Sequence, residues 1–309
     1  MRSEEPHGAA VTVSASGPGS GTLRFAHEAM ATVFEVHCAH SDPAYARQAA
    51  QAAFDLADRL ERELSRFVAN SDVTRINHLS AGQDTRVSPT TMECLLVARH
   101  VHDATGGAFD ISIGSGLDDL ELDPDGLAVR AHAPDVRLDL GGIGKGYAVD
   151  RMAETIEEWG ISRALVHGGF SSVLALEAPP ERDGWPLTFS APGAGGARVL
   201  VRIPARQRAL GASGMLKGDH IQDPRHGQAV TGRRAVWVAV PRGEGGSAGA
   251  LADALSTAFM ILPLEEIGDL CRRSPGLEAW LVPQPEEGKD QDLSVLHFGT
   301  PGPAGEGAS

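Results

Sequence analysis

The sequence predicts an α+β fold, in which mixed sheets are flanked by helices, because two hydrophobic periods occur along one chain. Apolar residues recur at three- and four-residue steps through residues 42–67, which is typical of an amphipathic helix. Residues 32–36, Thr-Val-Phe-Glu-Val, alternate as in a strand with one buried face. Strand-like pieces separated by Pro and Gly clusters occur between residues 174 and 203, as expected of hairpins in a mixed sheet.

The elements of the first half are bounded by residues that begin or stop regular structure. Gly106 and Gly107 supply a C-terminal stop for a helix. The segment after them is rich in Gly and Asp, which predicts a loop. The predicted order is a strand within residues 24–38, a helix over 42–67, a turn or cap at 70–72, a helix from 88 or 90 to 105, and a loop over 108–125.

A glycine-rich run divides the second half. It occupies residues 141–146, between a short predicted strand and the predicted helix that follows. The predicted order is a strand over 136–140, a helix over 147–159, strands over 164–167 and 235–240, a helix over 250–262, and a last hairpin from 279–282 and 293–297.

Composition restricts the class of protein. The chain has 309 residues, 42% hydrophobic and 22% charged, which argues against a disordered, collagenous or membrane-spanning protein. Its formal charge of −14 argues against a broad nucleic-acid footprint. No run reaches the roughly 18 apolar residues that a membrane span requires. The three scattered cysteines fit reduced thiols and no metal cluster.

The ends of the chain differ in composition from its middle. Residues 1–22 and 299–309 are predicted to be a disordered lead and tail, which leaves one domain over 23–298. The lead lacks the apolar run of a secretory signal, so the sequence as written predicts a cytoplasmic protein. A leader missing from the sequence would instead make the protein periplasmic.

The glycine-rich run is a candidate phosphate site. Glycines let the backbone approach a ligand closely, and the N–H groups at a helix start attract phosphate. Lys145 adds a positive charge beside Gly141, Gly142 and Gly144. The run departs from both the dinucleotide-binding and the P-loop pattern, so a purely structural turn is the alternative.

Two further patterns are candidates for chemistry. Asp253 and Thr257 are four residues apart on a predicted helix, so both oxygen-bearing side chains project from one face and could meet a hard cation such as Mg²⁺. A local hydrogen bond is the alternative. His220 precedes an Asp-Pro turn that presents an imidazole as base or acid, and surface exposure without a role is the alternative.

The order of these motifs resembles that of the ApbE family, the FAD:protein FMN transferases. The resemblance extends over about residues 25–298 and includes Ala-Met-Ala-Thr at 29–32, Leu-Ser-Arg-Phe at 64–67, the run 138–150 and Asp-Ala-Leu-Ser-Thr at 253–257. It implies an α+β fold with the flavin site between two halves of one domain. It also implies Mg²⁺-dependent transfer of FMN from FAD, the substrate, to a Thr or Ser hydroxyl in the motif of an acceptor flavoprotein, with release of AMP.

The resemblance also implies roles for single residues. Asp253, Thr257 and the carbonyl of Gly144 are expected to hold Mg²⁺, and His220 matches the proposed catalytic base. The expected cofactor contacts are Met30 and Phe67 at the adenine, Gly141, Gly142 and Lys145 at the turn, with Lys145 near the pyrophosphate, and Asp150 at the flavin nucleotide.

The departures from the family pattern lie on the acceptor side. Ser213 is followed almost directly by His220, without the family's longer loop, and Phe170 and His226 stand where Asp and Thr are usual. Two alternatives to a transferase therefore stay open: a flavin-binding or scaffold protein of the same fold, and a hydrolase that splits FAD into FMN and AMP.

Overall fold

The structure is a computed structural model that describes residues 10–13, 21–193, 196–214, 222–243, 246–284 and 294–300. The helices in these ranges are α1 (Pro43–Leu64), α2 (Asp72–Ile76), α3 (Pro89–Ala104), α4 (Gly144–Glu158), α5 (Ala248–Ile261) and α6 (Leu264–Arg273). The strands are β1 (Ala10–Val13), β2 (Thr22–Ala29), β3 (Thr32–Ala39), β4 (Asp84–Arg86), β5 (Leu120–Asp123), β6 (Ala128–Ala131), β7 (Ala164–Gly168), β8 (Ser172–Ala175), β9 (Trp185–Gly193), β10 (Gly196–Ala205), β11 (Arg208–Gly214), β12 (Gln222–Asp223), β13 (Gln228–Ala229), β14 (Arg233–Pro241), β15 (Glu278–Pro283) and β16 (Leu296–Phe298).

An antiparallel sheet of eight strands organises the fold. Its order is β16-β15-β14-β11-β8-β7-β3-β2. The smaller sheets are β1-β9-β10, β4-β6-β5 and the pair β12-β13. Helices and antiparallel strands are thus combined, as the sequence predicts.

The large sheet is covered on both faces. Successive side chains of a strand point to opposite faces, so a strand buried on both sides contributes to two cores. In β14, Val236 and Val238 belong to the core formed with α1, α4 and α5, whereas Trp237 belongs to the core formed with β9 and β10. The sheet is therefore the middle layer between helices and a second sheet.

Helices α1 and α2 begin at their capping residues. Asp42 accepts hydrogen bonds from the backbone N–H groups of Ala44 and Tyr45 at 2.9 and 3.1 Å, and Pro43 stands in the first turn of α1. Ser71 caps α2, which agrees with the cap predicted at residues 70–72. Within the described ranges, no helix is long and apolar enough to cross a bilayer.

The predicted first strand is a hairpin, because β2 and β3 pair along their whole length. Its turn residues Met30 and Ala31 have φ of 51° and 56°, the left-handed values that a tight two-residue hairpin turn requires. Alternation alone did not indicate this turn, because Met and Ala are not the usual turn residues.

The strand predicted at residues 136–140 is wrong. Residues 136–139 have no regular structure and Leu140 begins a 3-10 turn. They pair with no described strand, since polar groups of Leu138 and Asp139 are satisfied elsewhere. The N–H of Leu138 donates to Asn77 Oδ1 at 2.7 Å, and Asn77 Nδ2 donates to the Leu138 carbonyl at 3.0 Å. The N–H of Asp139 donates to the Ile111 carbonyl at 2.7 Å. A side chain thus replaces the partner strand.

Three other expectations need correction. The predicted loop over 108–125 contains β5, and the sequence analysis missed α6. The predicted lead over 1–22 contains β1, which pairs with β9 and so belongs to the fold. Residues 301–309 of the predicted tail lie outside the described residues.

A half-buried carboxylate on β3 makes the stability of the fold pH-dependent. Glu35 accepts hydrogen bonds from His37 at 2.8 Å and from Arg24 Nε at 3.0 Å. Burial by itself would raise the pKa of Glu35, but these hydrogen bonds and the charge of Arg24 lower it to about 2. Because this pKa lies below that of an unfolded Glu, the stabilisation is complete above about pH 5 and is lost as the pH falls toward about 2.

We expect Glu35→Gln to lower the free energy of unfolding by about 1–2 kcal/mol at neutral pH, a value reduced because Arg24 is solvent-exposed. Urea unfolding at about pH 7, 5 and 3 measures this difference, which should narrow at the lowest pH. Glu28→Gln, at an exposed position of β2, is the control and should change little. A difference that does not depend on pH would contradict the assigned role.

Candidate functional site

The glycine-rich run forms a 3-10 turn, Leu140–Gly142, that leads directly into α4. Asp139 accepts from the N–H of Gly141 at 2.9 Å and forms an ion pair with Arg66 Nε at 2.9 Å. The Arg66 guanidinium lies 4.4 Å from the ring centroid of Phe67, whose residue is 82% exposed. Phe67, the predicted adenine contact, is therefore linked to the turn through the side chains of Arg66 and Asp139.

Helix α4 begins without a side-chain cap from Ile143, and the carboxylate of Asp253 accepts the N–H of Gly146 in its first turn at 2.7 Å. The first N–H groups of a helix attract anions, of which this carboxylate is one. Lys145 is half-buried there, and its Nζ lies 3.4 Å from the Gly141 carbonyl. The methyl of Met30 lies 3.4 Å from where a Cβ on Gly144 would be. Met30 thus borders the start of α4, and its contact with the adenine stays a prediction.

Helices α4 and α5 touch through two glycines. A Cβ on Gly146 would lie 2.1 Å from the Gly249 carbonyl oxygen, and a Cβ on Gly249 would lie 2.4 Å from the Gly146 carbonyl oxygen. The backbones meet because neither residue has a side chain. This contact places the middle of α5 beside the glycine turn.

Asp253 is buried at this contact, with 5% of the residue exposed. Its Oδ2 accepts the N–H of Gly146 at 2.7 Å, and the Ser172 hydroxyl lies 2.9 and 2.8 Å from its two oxygens. Burial raises the pKa of Asp253 to about 6, against the opposing effects of the Lys145 charge and these hydrogen bonds. The carboxylate thus has neutral hydrogen-bond donors and one nearby cation.

Thr257 lies one turn further along α5. Its Oγ1 is 3.4 Å from the Asp253 carbonyl and 3.3 Å from Ser213 Oγ. A Cβ on Gly142 would lie 3.6 Å from the same Oγ1, so the hydroxyl faces the turn. The structure therefore brings together Asp253, Thr257 and the glycine-rich run, which the sequence analysis had identified separately.

This donor set fits a hard cation. Mg²⁺ prefers oxygen ligands, and the site offers a buried carboxylate beside a hydroxyl. The carbonyl of Gly144, at the start of α4, stays a predicted third ligand. The fit rests on the chemistry of Asp253 and Thr257 and on the burial of the carboxylate.

Asp150, the predicted flavin contact, lies against the start of α5. It is 2% exposed and accepts the N–H groups of Gly249 and Ala250, at 2.7 and 2.9 Å, in the first turn of α5. Burial raises the pKa of Asp150 to about 7, against the effect of these two hydrogen bonds. Both carboxylate oxygens are engaged by the protein backbone, so contact with the flavin stays a prediction.

His220 lies outside the described residues, as do residues 215–221 as a whole. The turn that follows it is described: the N–H groups of His226 and Gly227 donate to the Asp223 carbonyl at 3.2 and 2.7 Å. Gly114 packs against this turn, since a Cβ there would lie 2.7 Å from the Pro224 carbonyl oxygen. The catalytic role of His220 therefore stays a prediction.

The hydroxyls around the Asp253 carboxylate were not predicted from the sequence. Ser172 contacts Asp253 across 81 residues of chain, and Ser213 Oγ lies 2.8 Å from Ser256 Oγ. No local spacing joins these residues. The pair Gly168 and Gly169 indicates only that a turn precedes Ser172.

A mixed α+β fold that gathers a buried carboxylate, hydroxyls and a lysine at a glycine turn is suited to phosphate and cation binding. The ApbE family profile matches residues 30–118 and 115–281. The chain belongs to the ApbE family, which confirms the resemblance found in the sequence motifs.

Individual relatives agree with this assignment. The FAD:protein FMN transferase of Klebsiella pneumoniae is 26% identical over 318 residues, covering 88% of this chain and 87% of the relative. The FAD:protein FMN transferase of Salmonella typhimurium is 24% identical over 289 residues, which cover 79% of this chain and 80% of the relative. The flavin transferase ApbE from Vibrio cholerae has a similar structure, with a TM-score of 0.75 at 17% identity over 90% of this chain and 97% of that one. The ApbE protein from Thermotoga maritima has a TM-score of 0.74 at 21% sequence identity, over 90% of this chain and 97% of that one. These structures confirm the predicted fold.

We expect Gly146→Ala to lower the free energy of unfolding by at least about 2 kcal/mol, because its Cβ would collide with the Gly249 carbonyl. Thermal and urea unfolding measure the loss. Gly243→Ala is the matched control, since a Cβ there meets nothing within 4 Å and it should change stability by less than about 0.5 kcal/mol. If Gly146→Ala is as stable as the parent, the close contact between α4 and α5 is refuted.

Proposed function

We propose that this chain is a Mg²⁺-dependent transferase that moves FMN from FAD to a Ser or Thr hydroxyl of an acceptor flavoprotein. One observation carries the proposal: Asp253 and Thr257 lie against the glycine turn that begins α4, in a chain of the ApbE family. The relatives named FAD:protein FMN transferase support the reaction class.

The reaction exchanges the phosphoanhydride bond of FAD for a phosphodiester bond to the acceptor. The acceptor hydroxyl oxygen forms a bond to the phosphorus of the FMN half of FAD, while the bond from that phosphorus to the bridging oxygen of the pyrophosphate breaks. AMP leaves with the bridging oxygen, and the hydroxyl proton passes to His220, the proposed base. Bound Mg²⁺ supplies neutralisation of charge on the phosphates.

The residues of this chain have separate tasks in the proposal. Asp253 and Thr257, with the Gly144 carbonyl, hold the cation, while Lys145 offsets charge on the pyrophosphate that the first turn of α4 attracts. Gly141 and Gly142 let the phosphates approach the backbone. Met30 and Phe67 border the adenine.

The main alternative is a flavin-binding or scaffold protein of the same fold without turnover. The short segment between Ser213 and His220 motivates it, because the family's usual acceptor-side loop is longer. A third possibility is hydrolysis of FAD, in which water takes the place of the acceptor hydroxyl at the same metal site.

The test is incubation of the full chain with FAD, Mg²⁺ and a candidate acceptor flavoprotein, followed by mass analysis of the acceptor and chromatography of the nucleotides. We expect covalent flavin on the acceptor together with AMP. FMN and AMP formed without an acceptor would favour the hydrolase, and intact bound FAD would favour the binding protein.

Asp253→Asn is expected to abolish Mg²⁺-dependent turnover, because an amide keeps the shape but removes the charge that holds the cation. Asn is chosen over Ala because Asp253 is buried and hydrogen-bonded. Circular dichroism checks that the variant folds, and a Mg²⁺ titration of FAD turnover measures the effect. An unchanged dependence on Mg²⁺ would refute the metal assignment.

Lys145→Met is expected to weaken FAD binding by about tenfold or more and FMN binding by less, since only FAD carries the pyrophosphate. Calorimetric titration with each ligand measures both affinities. Arg272→Met, at an exposed position near the end of α6, controls for the change in net charge. Equal losses of affinity for FAD and FMN would show that the Lys145 charge does not act on the pyrophosphate.

A further inference from the structure

The first turn of α5 is capped by another helix. Ser247, which precedes α5, makes no capping hydrogen bond with its side chain. The N–H groups of Gly249 and Ala250 donate instead to the carboxylate of Asp150, on α4, at 2.7 and 2.9 Å. A carboxylate at this end of a helix both satisfies N–H groups and complements the helix dipole.

The next residue of α4 holds the same end of α5. Arg151 donates to the carbonyl of Gly246, just before the helix, and forms an ion pair with Glu154 at 2.8 Å. Asp150 and Arg151, which are consecutive in α4, thus hold the start of α5. Asp150 binds N–H groups of its first turn, and Arg151 binds a carbonyl group just before it.

These contacts lie one turn from the proposed metal ligand. Ala250 precedes Asp253 by three residues, and Asp253 precedes Thr257 by four, so all three follow one side of α5. The glycine contact between Gly146 and Gly249 prevents the helices from moving closer. The Asp150 hydrogen bonds resist separation and sliding in the other directions.

We propose that Asp150 is a positioning residue for the metal site, which acts through α5 to hold Asp253 and Thr257 at the glycine turn. This inference rests on the proposed function, since it concerns the same cation. It differs from the sequence-based expectation of a flavin contact, because both carboxylate oxygens face backbone N–H groups of α5.

Asp150→Asn is the principal variant. The amide keeps the size of the side chain and one acceptor, but it turns a donor toward one of the two N–H groups. The stabilising charge at the start of α5 is also lost. We expect a looser α5 and therefore weaker cation binding, by about 10–100-fold, which is the usual effect of losing a residue that orients a metal ligand.

The experiment measures Mn²⁺, used as a paramagnetic stand-in for Mg²⁺, by electron paramagnetic resonance of the full chain with saturating FAD. FAD affinity is measured separately by calorimetry without metal. We expect Asp150→Asn to raise the Kd for Mn²⁺ at least about tenfold, to leave metal-free FAD affinity within about twofold, and to recover most FMN transfer at high Mg²⁺.

Asp72→Asn is the matched control for a general loss of stability. Asp72 is also buried and also accepts a backbone N–H, that of Ser88 at 2.7 Å, but it belongs to α2. We expect this control to lower the thermal midpoint without changing the Kd for Mn²⁺. Asp150→Ser, which keeps a smaller acceptor and removes the charge, provides the same test if Asp150→Asn does not fold.

Three results would overturn the inference. An Asp150 variant with the parent's Kd for Mn²⁺ would show that Asp150 does not position the metal ligands. An equal rise in the Kd for Mn²⁺ in Asp72→Asn would indicate a general effect of lost stability. A loss of metal-free FAD affinity in the Asp150 variant would favour the flavin contact. A parent chain that binds no Mn²⁺ with FAD would instead refute the metal site of the proposed function, and the inference with it.

Discussion

The contact between helices α4 and α5 is the constraint on which the candidate site depends. Gly146 and Gly249 allow the two backbones to touch, and the N–H of Gly146 then reaches the Asp253 carboxylate at 2.7 Å. A side chain at either glycine would separate the helices and remove this hydrogen bond. The glycine turn before α4 and the hydroxyl of Thr257 are neighbours because the crossing is so close.

The two helices cap each other. Asp253 of α5 accepts an N–H from the first turn of α4, and Asp150 of α4 accepts two N–H groups from the first turn of α5. Both carboxylates are buried, and burial raises the pKa of each. Burying a charge is costly unless polar groups compensate it, so each helix provides the donors that the other helix's carboxylate requires. The pairing links the stability of the crossing to the geometry of the site.

The rest of the fold provides a rigid support for this pair. The eight-stranded sheet carries Ser172 at the start of β8 and Ser213 near the end of β11, and both hydroxyls reach α5. The second sheet covers the opposite face, so the central strands are buried on both sides. Asp253, Thr257 and the two serines are therefore held by helices and strands. The turn at Pro224 and the segment at Gly114 pack against each other.

The sequence by itself determined the fold class, most helices, and the motifs of the ApbE family, because these depend on local periodicity, capping residues and spacing. It also identified Asp253 and Thr257, since a four-residue spacing defines one helix face. Only the tertiary structure decided what partners these residues have. Leu138 was predicted in a strand but pairs with Asn77, and Asp150, whose contact with the flavin stays a prediction, caps α5. In both cases the deciding hydrogen bond joins residues about 60 or 100 positions apart, and local sequence carries no signal of which distant group satisfies a buried polar atom.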